Sequence, residues 1–124
     1  YSGVFIIYST DAQRAIKIQT DVIQHFDIEN IKRALSAELN TINEIVADTP
    51  IQYYISSINA GGNFTLRIYL MVHFKDEREH LDIVSQIIYL IKKASINNNI
   101  VMLNTLWISD EDDTTSVGDY GVGG

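Results

Sequence analysis

The stretch Asn63-Phe64-Thr65-Leu66-Arg67-Ile68-Tyr69-Leu70-Met71-Val72 decides the fold that we predict for this chain. Apolar side chains recur at every second position, so an extended strand places them all on one face: Phe64, Leu66, Ile68, Leu70 and Val72. Gly61 and Gly62 come just before this stretch and predict a turn, because glycine adopts positive φ without steric cost. A second strand-like run, Ile51 to Ile58, precedes the turn. The pattern predicts a central β-hairpin.

A strand and a helix are predicted on the N-terminal side of the hairpin. Residues 16–22 alternate between apolar and polar, which is the period of a half-buried strand. Apolar residues three or four positions apart from Ile28 to Val46 predict an amphipathic helix of about five turns. Asp27 is the predicted N-cap, and Asp48-Thr49-Pro50 ends the helix because the residue before proline avoids the α region.

A second helix and a last strand follow the hairpin. Asp76 is the predicted N-cap, Lys92 and Lys93 fall in the predicted last turn, and Asn97-Asn98-Asn99 supplies the αL conformation that ends many helices. The final strand is predicted from Ile100 to Ile108.

The order of these elements, β-α-β-β-α-β, predicts an α+β fold of the ferredoxin-like kind, with an antiparallel sheet and two helices on one of its faces. Val4 to Tyr8 is an additional N-terminal strand candidate, and the polar segment Asp11 to Arg14 is predicted to turn the chain. We therefore predict three parts: residues 1–14 as the end of a preceding β-domain and a link, residues 15–108 as the α/β domain, and residues 109–124 as an acidic, disordered tail.

Length and composition agree with one globular domain. The chain has 124 residues, of which 46% are hydrophobic and 20% charged. It contains no cysteine, which excludes disulfides and thiolate metal sites. No apolar run reaches the roughly 18 residues of a membrane span, and no signal peptide is visible. Because the sequence opens in strand-like residues without an initiator Met, we expect it to be a fragment of a longer protein.

The negative charge is concentrated at the C-terminal end. The total is −7, and residues 110–124 contain five acids and no base, which leaves −2 on the other 109 residues. The body of the chain has no basic stripe, and nucleic acid is therefore not an expected partner.

Candidate metal and catalytic residues do not form a recognisable motif. His25, His73 and His80 lack metal-ligand spacing, and we predict surface or loop positions for them. The acidic cluster 110–113 lacks the glycine and closing glutamate of a calcium loop. No nucleophile–base pair, P-loop or dinucleotide fingerprint is present. We therefore predict a domain that is not an enzyme and that has no catalytic residue, no metal and no cofactor.

Two features invite a functional interpretation. Arg67 lies on the strand face opposite Leu66 and Ile68, where it either binds an anionic ligand or pairs with an acid of a neighbouring strand or subunit. The last strand is almost continuously apolar, although a one-sided sheet needs only alternate residues buried. We therefore predict self-association, with a subunit interface formed by Met102, Leu103, Leu106, Trp107 and Ile108.

In the order of these segments the chain resembles the cytoplasmic end of small-conductance mechanosensitive (MscS-type) channels. Residues 7–14 resemble the last strand of that family's middle β-domain, and Phe26 to Ile31 resembles its strand-to-helix junction. Asp48-Thr49-Pro50 falls where the family often has a proline before a strand. Asn63 to Tyr69, a hydrophobic strand with a central Arg and a following aromatic, is the closest single match. The resemblance runs from about Val4 to about Ile108.

The resemblance implies a function that the residues alone do not. The whole protein would be a tension-gated pore of the inner membrane that releases ions and small osmolytes on hypo-osmotic shock. This segment would be a soluble wall of the chamber on the cytoplasmic side, in a ring of seven subunits, joined to the membrane by upstream helices. A ligand-sensing ferredoxin-like domain that binds an amino acid or small anion is the alternative. An enzyme is the least favoured, because no nucleophile, base and oxyanion donor can be assembled.

Overall fold

The computed structural model describes residues 12–23 and 27–109. They form four strands and two helices in the predicted order, and the α+β, ferredoxin-like prediction is confirmed. The elements are β1 (Ala12–Val22), α1 (Ile28–Leu39), β2 (Gln52–Ile58), β3 (Phe64–Phe74), α2 (Glu77–Asn97) and β4 (Met102–Ile108). The additional strand at Val4 to Tyr8, His25 and the acidic tail lie outside the described residues, and the division into three parts stays a prediction.

The sheet has the strand order β2-β3-β1-β4, and all of its neighbouring strands are antiparallel. β1 and β3 are the central pair, and Ile18 lies opposite Ile68 at the middle of their contact. The five alternate residues that begin at Phe64 are all buried, as predicted, and the intervening residues are half-buried. Because both helices lie on one face of the sheet, no helix of residues 12–23 and 27–109 covers the opposite face, which we call the open face.

α1 begins as predicted but is shorter than predicted. Asp27 caps it by accepting a hydrogen bond from the Glu29 backbone N–H (3.2 Å), and its apolar side faces the core through Ile31, Leu35 and Leu39. The helix ends at Leu39, whereas the apolar spacing predicted helix as far as Val46. The later part of that spacing belongs to a different structure, because residues 44–46 run along the edge of β3. There the Val46 N–H donates to the Met71 carbonyl and the His73 N–H donates to the Glu44 carbonyl, each at 2.9 Å.

α2 has both of its predicted ends. The Asp76 side chain accepts from the Glu79 N–H (2.9 Å), and the Glu79 side chain accepts from the Lys75 N–H (2.9 Å). At the other end Asn99 adopts φ 56°, the left-handed conformation that asparagine tolerates. The helix continues to Asn97, so Lys92 and Lys93 lie before its last turn rather than in it, which corrects that prediction.

The turn of the hairpin is also as predicted, since Gly61 and Gly62 both have φ 92°. The polar segment at the start of the chain is different: residues 12–14 do not turn but pair with residues 72–74 of β3. Arg14 is held there by Glu77, whose carboxylate lies 3.6 Å from the guanidinium, and by the Phe74 ring at 5.1 Å. These contacts explain why a polar sequence continues the strand.

Candidate subunit interface

β4 is an edge strand, because it pairs with β1 and with no other strand of the described chain. Ile18 lies opposite Trp107 and Val22 opposite Met102, so these two residues of β4 face the helices. Leu106 lies opposite Gln19 and Ile108 opposite Lys17, which places both on the open face. β4 therefore contributes to the core with one side and to the surface with the other.

The structure divides the five predicted interface residues into two groups. Met102 is buried in the core, and Trp107 packs against it with its ring 5.6 Å from that of His80. Leu103 and Leu106 are exposed by 49% and 44%, and Ile108 is half-buried. Only these last three are positioned to contact another molecule directly, and Val101, exposed by 48%, continues the same apolar surface.

A β-bulge explains why Leu103 and Leu106 share the open face although they are three residues apart. In a regular strand, residues separated by an odd number face opposite sides. Here the register shifts between Gln19 and Asp21, and Asn104 takes a positive φ of 54°. The Asn104 amide donates to Asp21 at 3.1 Å, which holds the bulged residue against β1. The bulge thus gathers two exposed leucines into one patch.

Arg67 lies near the centre of the open face. Its Nε donates to the Gln19 side chain at 3.2 Å, and Tyr54 is its partner on β2. No carboxylate of residues 12–23 or 27–109 lies within ion-pair distance of its guanidinium. The predicted pairing with an acid of a neighbouring strand is therefore not formed inside this part of the chain. Whether Arg67 pairs with another subunit or binds an anion stays a prediction.

The histidines lie apart from this face or at its margin. His73 is half-buried at the end of β3, while His80 in α2 is completely buried. The prediction of a surface or loop position for His80 is therefore wrong, because Phe74 and Trp107 enclose its ring at 4.8 and 5.6 Å. Across the described ranges, no three His, Cys, Asp or Glu side chains come close enough to hold a metal ion.

His80 has an unusual environment for a buried polar ring. Its Nδ1 lies 3.3 Å from Glu77 Oε2, the oxygen that also contacts Arg14, but this approach lacks hydrogen-bond geometry. Neither ring nitrogen has a hydrogen-bond partner among the described residues. Such groups are rare in folded proteins and lower stability, since they lose water without a replacement. The ring contributes to the structure by packing.

A half-open groove of about 540 Å³ lies on the helix side, between α1 and the end of α2. Its polar lining carries both signs of charge, from Asp27, Arg33 and Glu38 among others. Arg33 donates to Asn30 at 2.8 Å, and Glu38 contacts Lys93 at 3.8 Å, so these charges have partners. The groove does not include Arg67, the candidate anion-binding residue, or the turn at Gly61 and Gly62.

A second group of exposed large side chains, which the sequence does not reveal, lies on the other edge strand. Tyr54, Ile55 and Ile58 of β2 are exposed by 50%, 45% and 70%. The sequence of β2 is that of an ordinary strand, and only the strand order shows that it is an edge strand. α1 contacts it at Tyr53, through the hydrogen bond with Ser36. No signal in the sequence distinguishes an edge strand from a central one here.

Comparison with solved structures shows the same fold in a channel protein. The chain is similar to the crystal structure of Helicobacter pylori MscS in the closed state, with a TM-score of 0.64 and 23% sequence identity over 79% of this chain. The similar region is 38% of the length of that MscS chain, so the present chain spans well under half of it. The predicted resemblance to MscS is thereby confirmed at the level of the fold.

Other similarities are weaker. The designed protein Foldit4 covers 80% of this chain with a TM-score of 0.44 and 12% identity, and 99% of its own length is matched. A hydantoinase/carbamoylase family amidase from Burkholderia ambifaria covers 80% of this chain with a TM-score of 0.47 and 13% identity, over 28% of its own length. No protein-family model matches the chain, and no curated protein matches it. Neither helix of the described residues is long and apolar enough to cross a membrane.

Proposed function

We propose that this chain is the cytoplasmic chamber and assembly domain of a mechanosensitive channel. The whole protein would release ions and small osmolytes when hypo-osmotic shock stretches the inner membrane, to which transmembrane helices upstream of residue 1 would attach it. The observation that carries the proposal is the fold, which recurs in H. pylori MscS over 79% of this chain. The domain itself has no catalytic or cofactor role in this proposal.

The surface of β4 supports an assembly role. Leu103, Leu106 and Val101 form an exposed apolar patch beside the outer edge of β4, with which no strand of the described residues pairs. Each of these side chains would be removed from water by a neighbouring subunit, which stabilises the contact by about 25 cal/mol for each Å² of apolar surface buried. The subunit interface that we propose therefore consists of Val101, Leu103, Leu106 and Ile108, and Met102 and Trp107 support the strand from the core. By its resemblance to the family the ring would contain seven subunits.

The proposal is tested in the full-length protein that contains this chain. The full-length protein is expressed in a bacterial strain that lacks its own mechanosensitive channels. Membrane patches from these cells should show a conductance that opens under suction, and the cells should survive a hypo-osmotic shock. H. pylori MscS serves as the positive control. A full-length protein that reaches the membrane but gives no tension-activated current would overturn the proposal.

The contribution of the assembly surface needs its own variant. Leu106→Asp should lower the fraction of full-length protein that elutes as an oligomer, because it buries a charge in the contact. Gln86→Asp, at an exposed position of α2 away from both edge strands, is the matched control for added charge. Equal oligomer fractions in the wild type and in Leu106→Asp would show that β4 does not join subunits.

A ligand-sensing domain is the second candidate, and one observation favours it. Arg67 is half-buried on the open face, and no carboxylate of the described residues lies within ion-pair distance of its guanidinium. An arginine fork in such a position binds a carboxylate or phosphate well. A thermal-shift screen with amino acids and small anions should then give a hit that Arg67→Lys weakens. A screen without hits would exclude this function.

A further inference from the structure

Both edge strands of the sheet lack the charges and the proline that protect many edge strands against pairing. Natural edge strands carry charges, especially lysine, or a proline, because unpaired N–H and C=O groups are a template for a further strand. β2 (Gln52–Ile58) and β4 (Met102–Ile108) contain no Asp, Glu, Lys, Arg or Pro. Both strands are seven residues long. Two edges of equal length without a charge or a proline are therefore candidates for pairing with another copy.

The directions of the strands make the two edges complementary to each other. Since every neighbouring pair in the order β2-β3-β1-β4 is antiparallel, β2 and β4 run in opposite directions. A second copy in the same orientation would therefore present its β2 to β4 of the first copy as an antiparallel neighbour. The alternation of the sheet then continues across the contact. Such a contact is heterologous, and repeated copies close into a ring when the rotation between them allows it.

The side chains at the two edges match as well. One cross-strand row on the open face runs from Tyr54 through Arg67 and Gln19 to Leu106. Its middle is half-buried, while its ends are exposed by 50% at Tyr54 and 44% at Leu106. A continued sheet with an unshifted register places Leu106 of one copy beside Tyr54 of the next. An aromatic and an aliphatic side chain on neighbouring strands form a stabilising cross-strand pair.

The helix layer offers a second match. Lys93 contacts Glu38 of α1, so its side of α2 faces α1. At about 100° of helix rotation per residue, Leu81 and Ile88 lie across the buried face from Lys93, on the flank away from α1. Leu81 is 48% exposed there. On the neighbouring copy, Ile55 lies on the helix side of β2 and is 45% exposed, because it pairs with the buried Leu66 but lies beyond the cover of α1.

We propose that copies of this chain associate head to tail, with β4 of one copy paired to β2 of the next so that one sheet continues through the contact. This inference rests on the proposed assembly role and names the surface that β4 meets. Backbone hydrogen bonds would supply the pairing, as in other strand additions, and Leu106 and Tyr54 would fix the register.

Cysteine cross-linking tests the pairing directly, because the chain contains no cysteine of its own. Tyr54→Cys and Leu106→Cys are made separately with tags of different size, mixed and oxidised. The yield of disulfide-linked heterodimer in the mixture should be at least about tenfold higher than the homodimer yield of either variant alone. A tenfold ratio corresponds to about 1.4 kcal/mol. The double variant should give a ladder of higher multimers. Gln86→Cys, exposed on the same side of α2 as Lys93 and away from the proposed contact, measures random collision.

Each alternative gives a different result. Cross-linking of Leu106→Cys with itself at the level of the mixture would show a symmetric β4–β4 contact and overturn the inference. Cross-linking no greater than that of Gln86→Cys would show that no such contact forms, with the same consequence. Ile55→Lys, which protects the β2 edge, should reduce the heterodimer at least about tenfold while the far-UV circular dichroism is unchanged.

The outcome is separate from that of the channel experiment. A full-length protein that conducts under tension while Leu106→Cys links only to itself would overturn the head-to-tail pairing and leave the channel function. A protein in which the cysteines at positions 54 and 106 cross-link but which never conducts under tension would overturn the channel function and leave the head-to-tail pairing.

Discussion

The hydroxyl groups of Thr20 and Thr105 lie 2.8 Å apart and share a hydrogen bond across the pair β1–β4. Thr20 also donates toward the Leu103 carbonyl at 3.3 Å, and its side chain is completely buried. This contact lies at the bulge, where β4 would otherwise lose its regular pairing with β1. The two threonines thus hold the edge strand at the position that brings Leu103 and Leu106 together.

Thr20→Val should lower the free energy of unfolding by about 1–2 kcal/mol, because it leaves the Thr105 hydroxyl without this partner. Thr105→Val should cost a similar amount. Since both variants remove the same bond, the double variant should cost less than the sum, with a coupling of about 1 kcal/mol. Urea unfolding of the four proteins measures the cycle. Strictly additive effects would mean that the hydroxyl pair does not stabilise β4.

The left-handed residues Asn99 and Asn104 allow a matched comparison. Both have positive φ, 56° and 54°, so alanine at either position should cost about 1 kcal/mol through backbone strain. Glycine relieves that strain, and Asn99→Gly should therefore be nearly neutral. Asn104→Gly should remain about 0.5–1 kcal/mol less stable than the wild type, because only Asn104 donates to Asp21. Urea unfolding measures the stability of both glycine variants. Equal losses in the two would show that the hydrogen bond from Asn104 to Asp21 does not stabilise the fold.

Much of this fold could be predicted because single residues carry local signals. Asp27, Asp76, Gly61 and Gly62 each act through their own backbone, so caps and turn follow from the sequence. The predicted length of α1 is too great because its end depends on contacts with residues distant in the sequence. Its apolar spacing continues past Leu39, but there the same residues serve the edge of β3, as the bridge between Ile45 and Val72 shows. Periodicity alone cannot separate a helix from a following segment that is buried by distant strands.

The candidate interface was predicted less completely, since it depends on register. An apolar run cannot reveal that Met102 and Trp107 face inward while Leu103 and Leu106 face outward, because the bulge at Asn104 changes the alternation. The exposure of Ile58 likewise depends on β2 being an edge strand. Both features arise from pairing between residues far apart in the chain.

His80→Leu should leave the free energy of unfolding unchanged or raise it, although most substitutions of fully buried side chains lower it. The two ring nitrogens have no hydrogen-bond partner in the described structure, so leucine removes a desolvation cost while it keeps apolar contact with Phe74 and Trp107. Ile91→Ala, at another fully buried position of α2, is the contrast and should cost about 2–5 kcal/mol. Urea unfolding measures both. A loss from His80→Leu as large as that from Ile91→Ala would show that the imidazole has an essential polar partner.

Tyr53 should make stability depend on pH on the alkaline side. Burial raises the pKa of Tyr53 above its ordinary value of 10.0, although the hydrogen bond with Ser36 (2.7 Å) acts in the other direction. The unfolded chain then loses the phenol proton at a lower pH than the folded chain. The stability that comes from keeping Tyr53 neutral is therefore complete below pH 10.0 and is lost as the pH rises toward the folded-state pKa.

Absorbance titration of tyrosinate in the folded protein should show one late-titrating group that Tyr53→Phe removes. The same variant should flatten the decline of unfolding free energy above pH 10.0. Tyr54→Phe is the matched control, because Tyr54 is half exposed on the neighbouring position and bonds only to the Gln52 side chain among the described residues. If Tyr54→Phe changed the alkaline decline as much as Tyr53→Phe, the effect would come from the removal of any phenol rather than from the buried one against α1.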